Sequence, residues 1–441
     1  MNVLIQLSHP AHFHLYKNVA KNLLADGHQV LFVIKSKDIL ETLLQNAGLP
    51  YVNINQHAHR GSKLGILWDM LVRDFRLVRL CRKHKIDLLT GSTPDIAHAG
   101  WWLRKWRVNT GEDDLAVVPM FRYVAGPFTQ CSVNPDPCDC GVFEKIACHY
   151  PGYHELAYLH PNHFTPNPEV VRSYGIPVPS SPSQLVPQVP NKSSINTQKE
   201  QATPSSNPQL VPQVTNSSSD SSQKEQAKPY FILRFASLNA HHDSGIKGIN
   251  TEIAQRLVDI LKPHGQIYIT SERPLEPQFE QYRIKINPLD MHHVMAFASL
   301  YIGDSQTMAA EAGVLGVPFV RFNDFVGRIG YLRELEDTYE LGYGIHATQI
   351  KSEELRAKSE ELIRRADGSV QPSGVEELYK RVEELVAMPS DQRRKLWSER
   401  RKQMLSDKVD CAKFLTYFIE NYPQSAEETR KADSAWWAKF K

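Results

Sequence analysis

Residues 303–318, GDSQTMAAEAGVLGVP, place a strand end, a polar turn and a helix of small residues in an order that suits phosphate binding. Asp304 and Ser305 are favoured N-cap types, so the first free backbone N–H groups fall around Gln306, Thr307 and Met308. Those donors, with the positive end of the helix dipole, attract an anion. Gly316 at the expected C′ position and Pro318 beyond it close the helix. Thr307 and Glu311 share a helix face, which lets one touch a phosphate while the other accepts hydrogen bonds from sugar hydroxyls. The same pattern also describes a capped helix between two parallel strands, its alanines serving close packing.

A second group is histidine-rich. His9, His12 and His14 follow the first strand in SHPAHFH, at the strand end where open parallel sheets bind ligands. A neutral imidazole there can take a proton near neutral pH. Glu112, Asp113 and Asp114 follow a strand around residues 107–109; they can orient a histidine or a sugar hydroxyl, or form a solvated acidic turn. Arg234, His241, His242, Asp243 and Lys247 sit on or just after the strand that opens the second half, and arginine suits diphosphate through paired hydrogen bonds. Cys131, Cys138, Cys140 and Cys148 cluster beside His149 without the paired CxxC spacing of structural zinc sites, so free thiols are expected and no metal.

The elements that carry these groups alternate strand and helix. Strands are expected at 2–7, 51–54 and 87–90 and in HQVLFVIK, with helices at 15–25, 39–47 and 64–83, as in a parallel sheet. No GxGxxG fingerprint accompanies them. A second such unit starts at YFILRFAS and continues through a helix at 249–261, with strands in QIYITSE, 283–286, YIG and PFVRF. Between the units, residues 177–229 are rich in Ser, Pro, Gln and Asn, and QLVPQV and QKEQA each occur twice at the same spacing. This reads as one duplicated low-complexity insertion that cannot offset its ordering entropy.

At 441 residues the chain holds two ordinary domains plus extras, and Lys+Arg 51 against Asp+Glu 49 gives no reason to expect a nucleic-acid partner. No run reaches the ~18 apolar residues needed to span a bilayer. With no signal-like start and six cysteines, the expectation is a cytoplasmic protein. WWLRKWR at 101–107 and the final RKADSAWWAKFK mix tryptophan with basic residues, the composition of peripheral membrane contact or of a packed terminal helix.

Taken together, the two halves, the histidine loop and the Ser/Thr and Glu helix resemble GT-B enzymes. The segments SHPAHFHLYKN, YPGYHELAYLHPNHF, LRFASLNAHHDSGIKG and GDSQTMAAEAGVLGVP are most similar to an uncharacterised bacterial family, a domain of unknown function with GT-B-like architecture. The resemblance implies an α/β, GT-B-like fold of two doubly wound Rossmann-like domains facing across a cleft, with a helical C-terminal segment. Residues 1–160 would form the acceptor side, 230–400 the nucleotide-sugar side and 401–441 a helical tail; the insertion departs from the family pattern. It further implies Glu311 on a ribose, Ser305 to Thr307 as a diphosphate cradle supported by Arg234, His242, Asp243 and Asp304, and His12 as base, counted back from Gly27 and His28, with His14 second. The implied activity is inverting glycosyl transfer from a UDP-sugar to a glycan or lipid-linked acceptor in envelope or exported polysaccharide synthesis, with no cofactor. Residues 303–318 also look like the matching segment of non-hydrolysing UDP-N-acetylglucosamine 2-epimerases. Those enzymes carry an Arg-Arg-Glu-Asn run after a histidine where this chain reads LNAHHDSG. A non-catalytic scaffold is the third reading.

Overall fold

The computed structural model describes residues 1–35, 38–55, 63–115, 117–118, 121–178, 228–236, 248–347 and 374–441. Most of the insertion lies outside them. Seven parallel strands form the first sheet: β1 (Asn2–Leu7), β2 (Gln29–Lys35), β3 (Tyr51–Asn55), β4 (Leu88–Gly91), β5 (Trp106–Thr110), β6 (Cys131–Pro135) and β7 (Ala147–Tyr150). Their order is β3-β2-β1-β4-β5-β6-β7. Near-continuous apolar runs such as VLIQL and VLFVI are what a parallel sheet covered on both faces requires.

The first helix starts at Pro10, earlier than expected, and runs to Ala25. His9 is its N-cap, accepting from Ala11 N at Nδ1 over 3.2 Å, and proline at the first helical position costs no hydrogen bond. His12 and His14 therefore stand on the first turns of a helix, not on a loop. Two residues apart, they point in different directions.

The second sheet holds β8 (Tyr230–Phe235), β9 (Gln266–Ser271), β10 (Leu300–Gly303), β11 (Phe319–Phe322) and β12 (Gly342–Ile345), in the parallel order β12-β11-β10-β8-β9. The segment 283–286 is not a strand: it contributes one isolated bridge, Ile269 to Arg283, after a 3-10 turn. Two strands of the first sheet, β6 and β7, and β12 of the second lie outside the sequence expectation.

One helix, Ser390–Asp407, runs through the expected boundary at 400/401 and lies on the second sheet, where Trp397 Nε1 donates to the Leu341 carbonyl at 2.7 Å. The chain then crosses back. Val409 N donates to the Pro151 carbonyl at 2.8 Å, and Asp410 accepts from Asn162 at 3.0 Å and His163 at 2.8 Å while capping the helix Cys411–Glu420. That helix packs on the first one, with Asn22 donating to Thr416 at 3.2 Å and His28 pairing with Glu420 at 3.1 Å. The end of the chain thus completes the first domain. Trp436, Trp437 and Phe440 gather around the Phe414 ring, so the aromatic tail residues pack on the body.

A buried ion pair fixes the outer edge of the second sheet. Arg321 on β11 is fully buried and donates to both carboxylate oxygens of Glu336, at 3.0 and 3.2 Å. Removing one partner strands the other charge. Arg321→Ala is expected to cost about 3–5 kcal/mol in urea denaturation, whereas Arg321→Met combined with Glu336→Leu should recover most of that loss.

Candidate functional site

At the carboxyl ends of β4, β5 and β6 the first sheet opens into a cavity of about 290 Å³. His12, Asn109, Glu112, Asp113, Asn134 and His154 line it together with Leu115, Val118, Phe121 and Phe143. His154 is buried, its Nδ1 is 3.0 Å from the Glu112 carboxylate, and its Nε2 has no hydrogen-bond partner among the described residues. Burial alone would raise the Glu112 carboxyl; the charge and hydrogen bond of His154, and more distantly His12 and His9, outweigh it and hold the group below its usual range. The result is an imidazole paired with a carboxylate in the wall of the cavity, its other nitrogen buried without a hydrogen-bond partner among the described residues. His12 lines the same cavity, its Nδ1 3.3 Å from Ser8 Oγ.

The acidic run divides three ways. While Glu112 holds His154, Asp113 faces the cleft, and burial among protein groups with the adjacent Glu112 charge pushes its carboxyl up to about 7. Asp114 accepts from Asp139 N at 2.7 Å and, from the other domain, Gly330 N at 3.0 Å. It is a joint between domains and not a solvated turn.

Across from this edge, the helix Gln306–Leu315 begins immediately after β10. Ser305 caps it, accepting from Met308 N at 3.5 Å, which leaves the N–H groups of Gln306 and Thr307 without intrahelical acceptors. Arg234 pairs in register with Gly303 beside that terminus and is ion-paired with Glu272. The Asp304 carboxylate accepts from Ala236 N at 2.6 Å and Ile249 N at 3.4 Å. Burial pushes it up to about 6 in spite of those bonds. His242 and Asp243, with His241 and Lys247, lie outside the described residues.

Glu311 is buried and accepts, at one oxygen, from Tyr158 Oη at 2.9 Å and His292 Nε2 at 2.9 Å. His14 completes this cluster, its ring 5.2 Å from that of Tyr158 and 5.0 Å from that of His292. Burial, then the neighbouring His292 and Lys17, hold the His14 imidazole well below its usual range, so it is neutral. His12 and His14 therefore divide: one lines the cavity, the other packs at the interface with the nucleotide-side helix. His154, Tyr158 and His292 do not emerge from the sequence as functional residues. His154 and Tyr158 are spaced one helical turn apart within the apolar run YHELAYL, and such polar groups in a buried run are the signal that could have singled them out.

No family model matches this chain and no curated protein does. Solved structures do. The Staphylococcus aureus protein MnaA, solved with UDP, matches with a TM-score of 0.55 at 10% identity over 96% of this chain and 97% of that one. The spinosyn forosaminyltransferase SpnP matches at 0.53 and 13% identity, covering 97% of this chain and 100% of that one. UDP-GlcNAc 2-epimerase from Neisseria meningitidis, bound to UDP-GlcNAc, matches at 0.50 and 11%, over 92% and 99%. Glycosyltransferases and epimerases share this architecture, and the chain has the GT-B fold; at these identities the likeness speaks to fold alone.

Asp113 supplies a test of the cavity's electrostatics. Its folded value of about 7 lies above the ordinary 3.8, so the native state retains a proton that the unfolded chain has lost, and stability falls as pH rises from about 4 to 7. Asp113→Asn removes that loss. Discounted for contact with solvent in the cleft, the variant is expected to be more stable than the parent by about 1 kcal/mol at pH 8 and equal to it near pH 4, read from urea midpoints at the two values.

Proposed function

We propose that this chain is an inverting glycosyltransferase that takes a UDP-linked sugar on the second domain and an acceptor hydroxyl in the first-domain cavity. The observation that carries the proposal is the pairing of His154 Nδ1 with Glu112 in the wall of a cavity whose domain meets the capped helix of the other. The acceptor oxygen gives its proton to a histidine and forms a bond to the anomeric carbon. The bond from that carbon to the diphosphate breaks, and UDP leaves with the electron pair. The N–H groups of Gln306 and Thr307 and the Arg234 guanidinium are suited to the charge that develops on it. The ribose falls to Glu311 once Tyr158 and His292 yield an oxygen. The MnaA complex with UDP supports the nucleotide, as a protein of the same fold.

His154 is the base that the geometry favours, and His12 the one that motif spacing favours. Replacing the base by alanine is expected to lower turnover about 10²–10⁴-fold while UDP still raises the thermal midpoint. Turnover retained in both His12→Ala and His154→Ala removes the mechanism. Isomerised product from UDP-N-acetylglucosamine alone replaces transfer by epimerisation.

A lipid-linked acceptor for envelope or exported polysaccharide fits one further surface. Trp68, Leu71 and Phe75 share an exposed helix face, with Trp68 58% and Phe75 63% exposed, and the neighbouring helix ends in exposed Trp101 and Trp102. Exposed Arg76, Arg79, Arg82, Lys83 and Arg104 accompany them. Aromatics among cations favour an anionic lipid surface. Vesicles containing phosphatidylglycerol should sediment the protein, and Trp68→Ala with Phe75→Ala should abolish this. Equal binding to neutral vesicles would exclude the electrostatic part.

A further inference from the structure

The loop on the rim of the cavity brings three different metal-ligating side chains together. Cys140 precedes the 3-10 helix Gly141–Ile146, Glu144 lies within it and His149 stands on β7; their ligand atoms are all within 4.8 Å of one another. We propose that Cys140, Glu144 and His149 form a site for one zinc-class divalent cation. This does not rest on the nucleotide-sugar reading, and its only residue on the proposed acceptor cavity is Cys140.

Four observations support it. First, the donors are a thiol sulfur, an imidazole nitrogen and a carboxylate oxygen, the set that zinc prefers, with a fourth position left to water. Bonds of 2.0–2.3 Å in a tetrahedron put neighbouring donors about 3.3–3.7 Å apart, so side-chain rotation alone closes the existing gaps. Second, His149 Nδ1 lies 3.3 Å from the Pro135 carbonyl, to which it donates. That contact selects the tautomer whose Nε2 points to the other two groups and fixes the ring, the usual outer support of a metal-bound histidine. Third, charge balances: a thiolate, a carboxylate and a neutral imidazole offset a divalent ion. Fourth, Cys140 is buried and His149 half-buried, so water has limited access to two of the three ligands.

Binding then proceeds as an exchange. The Cys140 sulfur loses its proton to solvent and bonds the metal; His149 Nε2, 2.7 Å from the Glu144 oxygen, likewise releases to solvent the proton it donates there, and nitrogen and carboxylate then bond the same ion. Cys140 and Phe143 also line the cavity, so a bound ion would stiffen that wall. Cobalt reports the bond directly. Adding Co²⁺ to the full chain is expected to produce, at one equivalent, a near-ultraviolet sulfur-to-cobalt charge-transfer band that zinc removes by competition. Cys140→Ser should lose the band, and His149→Gln should weaken apparent affinity about tenfold or more, with circular dichroism confirming that each variant is folded. If Cys140→Ser does not fold, the His149→Gln titration decides. Absence of the band in the parent, its persistence in Cys140→Ser, or affinity unchanged in His149→Gln overturns the site.

Discussion

The contact on which the two domains most depend is the buried carboxylate of Glu311. Out of water, an ionised carboxylate is tolerated only when donors surround it, and here one donor comes from each side: Tyr158 from the first domain and His292 from its own. Burial and the nearby carboxylates keep the Tyr158 hydroxyl protonated, so it remains a donor throughout the neutral range. The His14 ring packs against both donors. A residue expected to serve a ribose is thus found joining the two domains.

Elsewhere, the chain solves the burial of charge by handing each carboxylate a different partner. In the adjacent Glu112, Asp113 and Asp114, one pairs with a histidine, one stays unpaired and gains proton affinity, and one accepts backbone N–H groups from two domains. Asp304 and Asp410 also accept backbone N–H groups, Asp304 from Ala236 and Ile249 and Asp410 from Lys413 at the return crossing to the first domain. Of the three acidic neighbours, Glu112 is the one that pairs with a histidine lining the cavity.

Much of this architecture can be read from local pattern. Long apolar strands followed by amphipathic helices announce two parallel sheets, and the capped helix after β10 has the termini that Ser305 and Gly316 predict. The missed strands, β6, β7 and β12, are short and carry polar, cysteine or glycine residues, because their ends line a cavity or pack under an aromatic ring: at Gly342 a Cβ would meet the Phe319 ring at 2.3 Å. The site was legible in part for the same reason. His12 and Glu311 stand out by position after a strand, whereas the pairing of Glu112 with His154 joins segments on either side of two strands that the pattern did not reveal. The split between His12 and His14 depended on the helix starting at Pro10, a matter of one cap.

Transfer and isomerisation differ in what the first domain must hold, since a capped helix suits a nucleotide equally well for either. An isomerase needs only one substrate in the cleft. Here Leu115, Val118, Phe121 and Phe143 line the cavity together with its acids and amides, a mixture suited to a second molecule that has a hydroxyl and apolar bulk. Burying such bulk is worth about 25 cal/mol per Å², a source of affinity that a nucleotide sugar alone would not use. A wall of that kind next to a carboxylate-held histidine is the feature that favours transfer.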